Sequence, residues 1–469
     1  MPDITYQAQV ASPLLNGEAS LSLSTHGLSI TALFDALELP FSQINALTSA
    51  NYQITIQSDA GQFTLSKLGN WHDPFYQELS SAYNQAVLRS LFITGDPLIT
   101  AQGIFNYDES AAQTAPNSPS STGQPPAAPT APTAPASTQP TPAAAHVYQN
   151  CVVALPPNLG ARRIPLCFLA ALTPADYSLT LTLDTGEHYT LAKLGYNQQP
   201  FQAAIQQQLL QLRQRTLDQI MQIDPSLTPA QSQQIARLMP LGAAAPLGQL
   251  TAIAPSFTAA LQQLLAQTRA AQTFKALQQL CDPTQIYVGF KKLDPLNDEQ
   301  AAPAAETPPA PGGDIMASAV AALTGGAGGI SALSEAAGDA ASPDGSAAAD
   351  DTAEEEAPAP FLLWLIAPSP DGRYATVEFA ESDTATFVYR TRGNFEAFAK
   401  QLNRSLEAIN FKREVIRLSD EELLQPQNAD YLMAAKRTTA LSFIRSNYTG
   451  RIIHTTLETW QQKLQSLWK

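Results

Sequence analysis

Apolar and polar residues alternate along "YQITIQSDAGQFTLSKL", where Tyr52, Ile54 and Ile56 stand against Gln53, Thr55 and Gln57. A period of two is that of a strand with one buried face. The same pattern returns in "YSLTLTLDTGEHYTLAKL", with Tyr177, Leu179 and Leu181 on the apolar side. The two stretches match without a gap from Leu39 against Ile164 to Gly61 against Gly186, and one extra residue in the second copy then restores register. "SDAG" and "LDTG" each supply a glycine where a tight turn needs positive φ, so each copy predicts a β-hairpin. After Gly69 and Gly195 the apolar period lengthens to about 3.6, which predicts a helix. Asp73 is expected to cap the first of these helices, with Pro74 in its first turn and Phe75, Leu79, Ala82 and Ala86 along one side.

A third, more distant copy is read over residues 374 to 409. Val377 and Phe379 alternate with polar neighbours, "ESDT" is a turn, and Phe387 and Tyr389 lie on the return strand. Gly393 then precedes a helix with Phe395, Phe398, Leu402, Leu406 and Ile409 on one face. This copy lacks the "KLG" and Pro-Phe signature of the other two.

Short strands, a final antiparallel hairpin and one closing amphipathic helix resemble the pleckstrin-homology superfold. The motifs "LPFSQI" and "SKLG" are similar to those of bacterial PH-like domains, over residues 39 to 92 and 164 to 217. The resemblance implies a partly open antiparallel sandwich or barrel capped by its C-terminal helix, and it carries no activity with it. The expected class is α+β, with three PH-like repeats, helical segments and two long disordered loops. Repeat 1 is expected over 1–98, repeat 2 over 99–224, a helical bracing segment over 225–284, repeat 3 over 285–418 and a C-terminal helical segment over 419–469.

The loops change that picture in one respect. Residues 110–145 are rich in Pro, Ala, Ser and Thr, and 294–359 in Ala, Gly, Pro and acids, so neither is expected to fold into a core. Each is preceded by an orphan strand-like piece, "ITAQGIFNY" or "QIYVGFKKL", and followed by another, "VYQNCVVAL" or "FLLWLIA". Both loops are therefore read as insertions after the first strand of repeats 2 and 3. Thr228 with Pro229, Ser256 and Ser419 mark helix starts, and Leu261, Leu264 and Leu265 need a surface to cover. The rival reading of these helices is a groove-binding partner helix.

A formal charge of -15 argues against a generic polyanion binder, so nucleic acid is not an expected partner. The start of the chain lacks a signal-peptide pattern and its longest strongly apolar run is too short to span a bilayer, which predicts a cytoplasmic protein without stable membrane association. Cys151, Cys167 and Cys281 are read as buried thiols, and the five histidines have no metal-ligand spacing. No nucleotide-binding glycine motif and no nucleophile elbow is present, so no cofactor, metal site or catalytic residue is expected. Lys67 and Lys193 recur at one repeat position and are read as solvated strand-end charges. Trp71 is either a helix-flanking residue or an exposed anchor for a partner.

Bases concentrate in the third repeat and after it, at Arg390, Arg392, Arg404, Lys412, Arg413, Arg417, Lys436, Arg437, Arg445 and Arg451. With acids interspersed, a mixed solvated surface is one reading. The other is a surface for an acidic partner including Arg390, Arg392, Lys412 and Arg413, loosely covered by the acidic loop that holds "DDTAEEE". The expected function is that of a non-enzymatic interaction or scaffold protein whose partners are other proteins. A lipid-binding adaptor and an enzyme of unrecognised type are the alternatives.

Overall fold

The first repeat folds as a seven-stranded antiparallel sheet of β1 (Tyr6–Ala11), β2 (Asn16–Leu23), β3 (Gly27–Ala32), β4 (Ala36–Pro40), β5 (Ile44–Ala50), β6 (Gln53–Ser58) and β7 (Gly61–Ser66). Its strand order is β4-β3-β2-β1-β7-β6-β5. The predicted hairpin is β6 paired with β7, with Ile56 opposite Phe63. Helix α1 (His72–Ser90) then buries Phe75, Leu79, Tyr83, Ala86 and Val87 in one core with Ile54, Ile56, Phe63 and Leu65 of the sheet. Asp73 does not cap this helix: it is already inside the first turn, and its carboxylate lies 2.7 Å from His72 Nδ1. The computed structural model describes residues 5–110, 138–292, 361–380 and 385–469. The expectations placed on the second loop, including the cover of "DDTAEEE" over the basic surface, and on 111–137 of the first fall outside these residues. The end of the first loop as expected is corrected, since from Thr141 the chain is a strand whose Ala143 and Ala145 are buried, small side chains fitting a tightly packed sheet.

The second repeat comprises β8 (Ile99–Asp108), β9 (Thr141–Val147), β10 (Cys151–Leu155), β11 (Arg162–Pro165), β12 (Leu169–Ala175), β13 (Ser178–Leu183) and β14 (His188–Ala192), followed by α2 (Gln198–Ile223). Its order, β11-β10-β9-β8-β14-β13-β12, repeats that of the first sheet position for position. The duplication reaches the backbone: Tyr52 and Tyr177 have φ of 58° and 61°, and Lys67 and Lys193 have 59° and 56°. Both lysines are exposed just past their strands. β8 and β9, on either side of the first loop, pair directly from Ile99 opposite Val147 to Phe105 opposite Thr141. β10 is buried on both faces, because Cys151, Val153 and Leu155 enter the core of the first sheet while Val152 and Ala154 enter that of the second.

The third sheet is wired differently. β15 (Ala245–Pro246), β16 (Tyr287–Lys292), β17 (Phe361–Pro368), β18 (Tyr374–Phe379), β19 (Ala385–Arg390) and β20 (Tyr448–Ile453) run side by side in chain order. The hairpin and helix read at 374 to 409 are present as β18, β19 and α7 (Phe395–Ala408), but their strand order is not that of the first two sheets. The expected alternation of buried and solvated positions fails here. Thr376 and Glu378 are as buried as Val377 and Phe379, because helices cover both faces.

On one face Val288, Phe290, Leu363 and Leu365 share a core with α3 (Pro229–Leu238), α4 (Leu247–Ile253), α5 (Pro255–Ala266) and α6 (Ala271–Leu280). Leu261 and Leu265 of the expected bracing helices are buried there, and Thr228 closes a capping box with Gln231 at the start of α3. On the other face Trp364, Ile366, Val377 and Phe387 meet α7, α8 (Glu414–Arg417), α10 (Ala429–Arg437) and α11 (Thr439–Asn447), with α9 (Asp420–Leu423) preceding α10 and capped by Ser419. The polar positions of β18 and β19 are satisfied by the end of the chain. Trp460 Nε1, in α12 (Leu457–Leu467), donates to Thr386 Oγ1 at 2.8 Å; Trp468 Nε1, just after it, donates to Thr376 Oγ1 at 3.1 Å, and His454 Nε2, before it, lies 3.0 Å from Glu378. All three sheets belong to one compact unit.

Candidate binding cavity at the junction of the three sheets

Adjacent arginines on β11 point opposite ways, as the strand period requires. Arg162 meets Glu109 through two hydrogen bonds, Nε to Oε1 at 2.7 Å and Nη2 to Oε2 at 3.0 Å, and its guanidinium lies 3.9 Å from the centre of the Tyr107 ring. The Tyr189 hydroxyl donates to the same carboxylate at 2.8 Å. Burial, then the adjacent Glu109 charge, holds the Tyr189 phenol well above its ordinary pKa. Arg163 instead reaches the C-terminal end of α7, donating to the carbonyls of Glu407 and Ala408, with the Glu407 carboxylate 3.7 Å away. A cation there complements the negative end of the helix dipole, and it adds to the Asn410 N–H that already bonds the Glu407 carbonyl at 3.0 Å.

Arg404, on α7, returns the contact to the second sheet by pairing with Glu187 and Thr185 in the β13–β14 turn. α10 makes the corresponding approach to the first sheet. Lys436 donates to the Ser42 carbonyl at 3.0 Å and pairs with Asp59 in the β6–β7 turn. Arg437 donates to the carbonyls of Ile44 at 3.0 Å and Asn158 at 2.9 Å and to the Tyr83 hydroxyl. It is 1% exposed, and no carboxylate pairs with it among the described residues. Arg404, Lys436 and Arg437 are thus buried fasteners, which corrects, at these three positions, the reading of the bases as a mixed solvated surface.

Arg162, Arg163, Arg404 and Arg437 line a cavity of about 1180 Å³. Its walls come from Leu91 after α1, Glu109 and β11, the β13–β14 turn, the β19–α7 connection, and α7 and α11. Arg390 and Arg392, two of the four residues expected to meet an acidic partner, are exposed at this cavity. Arg392 Nε donates to the Asn447 side chain at 3.1 Å. Lys412 and Arg413 do not line it: both are half-buried in the turn after α7, and the Arg413 guanidinium lies 4.7 Å from the centre of the Phe379 ring. Asp184, open to water inside the cavity yet surrounded by protein, has its carboxyl pushed up by burial against the opposing pull of Arg404.

Of the other sequence candidates, Trp71 and Cys281 stay apart from this junction, while Cys151 and Cys167 lie beside Arg163 and Glu407. Trp71 is 62% exposed and meets Tyr6 edge to face. Burial raises the pKa of all three thiols, that of Cys281 to about 11. The described residues contain no cluster of three or more potential metal ligands and no helix long and apolar enough to cross a membrane.

Sequence reasoning missed Arg162, Arg163, Glu109 and Glu187. The signal was in the repeat itself. Two residues before the matched stretch begins, repeat 1 has Leu37 and Glu38 where repeat 2 has Arg162 and Arg163. Strand register assigns the extra residue of the second hairpin to Glu187, since Gln57 pairs with Gln62 while Thr182 pairs with His188. No protein-family model and no curated protein matches the sequence.

Proposed function

We propose that this chain is a non-enzymatic, cytoplasmic interaction protein, with two tandem modules of PH-like type serving as a platform for the helix-covered third sheet and the cavity between them receiving a partner protein. The shared strand order of the first two sheets, each followed by a helix packed on its core, supports the PH-like reading. The third sheet departs from that order, so it stands in this proposal as a separate α+β layer rather than a third copy. The observation that carries the function is a cavity of about 1180 Å³ walled by elements that follow or belong to all three sheets and fixed by buried ion pairs. Pre-formed clefts between modules are where ligands are usually held.

Two of its carboxylates serve the architecture, which favours binding over catalysis at those positions: Glu109 accepts from a bidentate arginine and a tyrosine, and Glu187 from Arg404 and Thr185. The test is site-specific photocrosslinking in the native host, with p-benzoylphenylalanine at Lys400 on the cavity or at Gln263 on α5. One protein adduct from position 400 and none from position 263 is expected. No adduct from 400, or the same adducts from both, would contradict the reading.

A further inference from the structure

The positive charge of the cavity is not balanced by its own acids. Glu109, Glu187 and Glu396 are each paired, with Arg162, Arg404 and Lys400 respectively. Arg390 has no carboxylate partner among the described residues, Arg392 is bonded to a neutral amide, and Arg437 is buried on carbonyls and a phenol. Asp184 opposes this surplus, and burial already disfavours its charged form. In a chain of formal charge -15, a concave site with this excess concentrates anions against the field of the rest of the surface.

A further feature points to an occupant. Beside the arginines the wall is apolar at Leu91, Phe398, Ala440 and Phe443. The volume exceeds the few hundred Å³ that a single small group fills.

We propose that the cavity binds an amphipathic anion, a carboxylate-bearing apolar segment of a partner protein, with the acidic group at Arg390 and Arg392 and the apolar body against Phe398 and Phe443. This deepens the interaction-protein reading and rests on it. Arginine rather than lysine at the rim suits a carboxylate, because the guanidinium fork offers two parallel donors.

The test uses the full chain and two fluorescent probes with one aromatic frame: anilinonaphthalene sulfonate, which is anionic, and N-phenyl-1-naphthylamine, which is neutral. The wild type is expected to bind the anionic probe saturably. R390E/R392E should weaken it at least tenfold while leaving the neutral probe within twofold, and A440W, which puts an indole into the cavity, should weaken both at least tenfold. Unchanged thermal midpoints check that the variants are folded. Lack of saturable binding by the wild type, or equal binding of the anionic probe by R390E/R392E, would overturn the proposal. Displacement of the probe by the peptide Glu-Phe-Glu-Leu-Glu-Phe upholds it in full. Displacement by octanoate but not by the peptide overturns the partner-protein reading and leaves an anion site for small molecules.

Discussion

The β6–β7 turn of the first sheet and the β13–β14 turn of the second occupy one position of the repeat, and each receives a cation from the helices over the third sheet. At the first turn Lys436 pairs with Asp59, a side chain 41% exposed; at the second Arg404 pairs with Glu187, 2% exposed. The aspartate is common to both copies, as Asp59 and Asp184. The glutamate is the inserted residue. Duplication thus supplies two equivalent sockets for one helical layer, and the inserted glutamate makes the second, which borders the cavity, the buried one, while the first stays open to water.

The comparison sets the scale of expected effects. Glu109→Ala leaves the buried Arg162 guanidinium without its carboxylate and should cost about 3–5 kcal/mol, read as a lower urea midpoint at unchanged slope. The double variant E109L/R162M removes both charges and should recover most of that loss. If the single variant costs less than about 1 kcal/mol, the buried pair does not hold the junction. Glu187→Ala should cost about 3 kcal/mol, whereas Asp59→Ala, at the equivalent but wetter socket, should cost about 1 kcal/mol or less. Equal losses would erase the distinction between the sockets.

A smaller effect comes through pH. Burial raises the Cys281 thiol to about 11 and the phenols of Tyr148 and Tyr287 to about 12. Their ordinary values are about 8.5 and about 10. Folded values above unfolded ones mean that the stability is complete below the unfolded pKa and is lost as pH rises through the folded one. The urea midpoint should therefore decline progressively between about pH 9 and pH 12. A flat profile across that window would contradict the burial of these groups. The smallest change is expected at the rim, where Arg390→Ala should alter stability by no more than about 0.5 kcal/mol.

The alternation at Tyr52 to Gln57 and its copy made the two hairpins legible, and the strand-like pieces flanking the second loop lie side by side as β16 and β17, whereas those flanking the first are β8 and β10, kept apart by β9, a strand that fell in the stretch read as loop. "FLLWLIA" held more than was read from it. An unbroken apolar run of strand length implies burial on both faces, which is the condition of β17 under its two helical layers. The cavity was only half legible. Arg390 and Arg392 stood out as part of a basic cluster, but Lys412 and Arg413 of the same cluster turn elsewhere, since nearness in sequence fixes no direction after a helix ends in the left-handed pair Asn410 and Phe411. Arg162 with Glu109 and Arg404 with Glu187 are separated by 53 and 217 residues, so no local pattern joins them.

The central claim is that three sheets act as one body, and cleavage tests it most directly. Recognition sites for a specific protease, inserted within 111–137 and within 293–360, would divide the chain into three fragments, each boundary lying between paired strands. Buried backbone pairing of β8 with β9 and of β16 with β17 should hold the fragments together. On a sizing column the nicked protein should elute at the volume of the intact chain and come apart only in denaturant. Folded fragments that separate in native buffer would contradict the account.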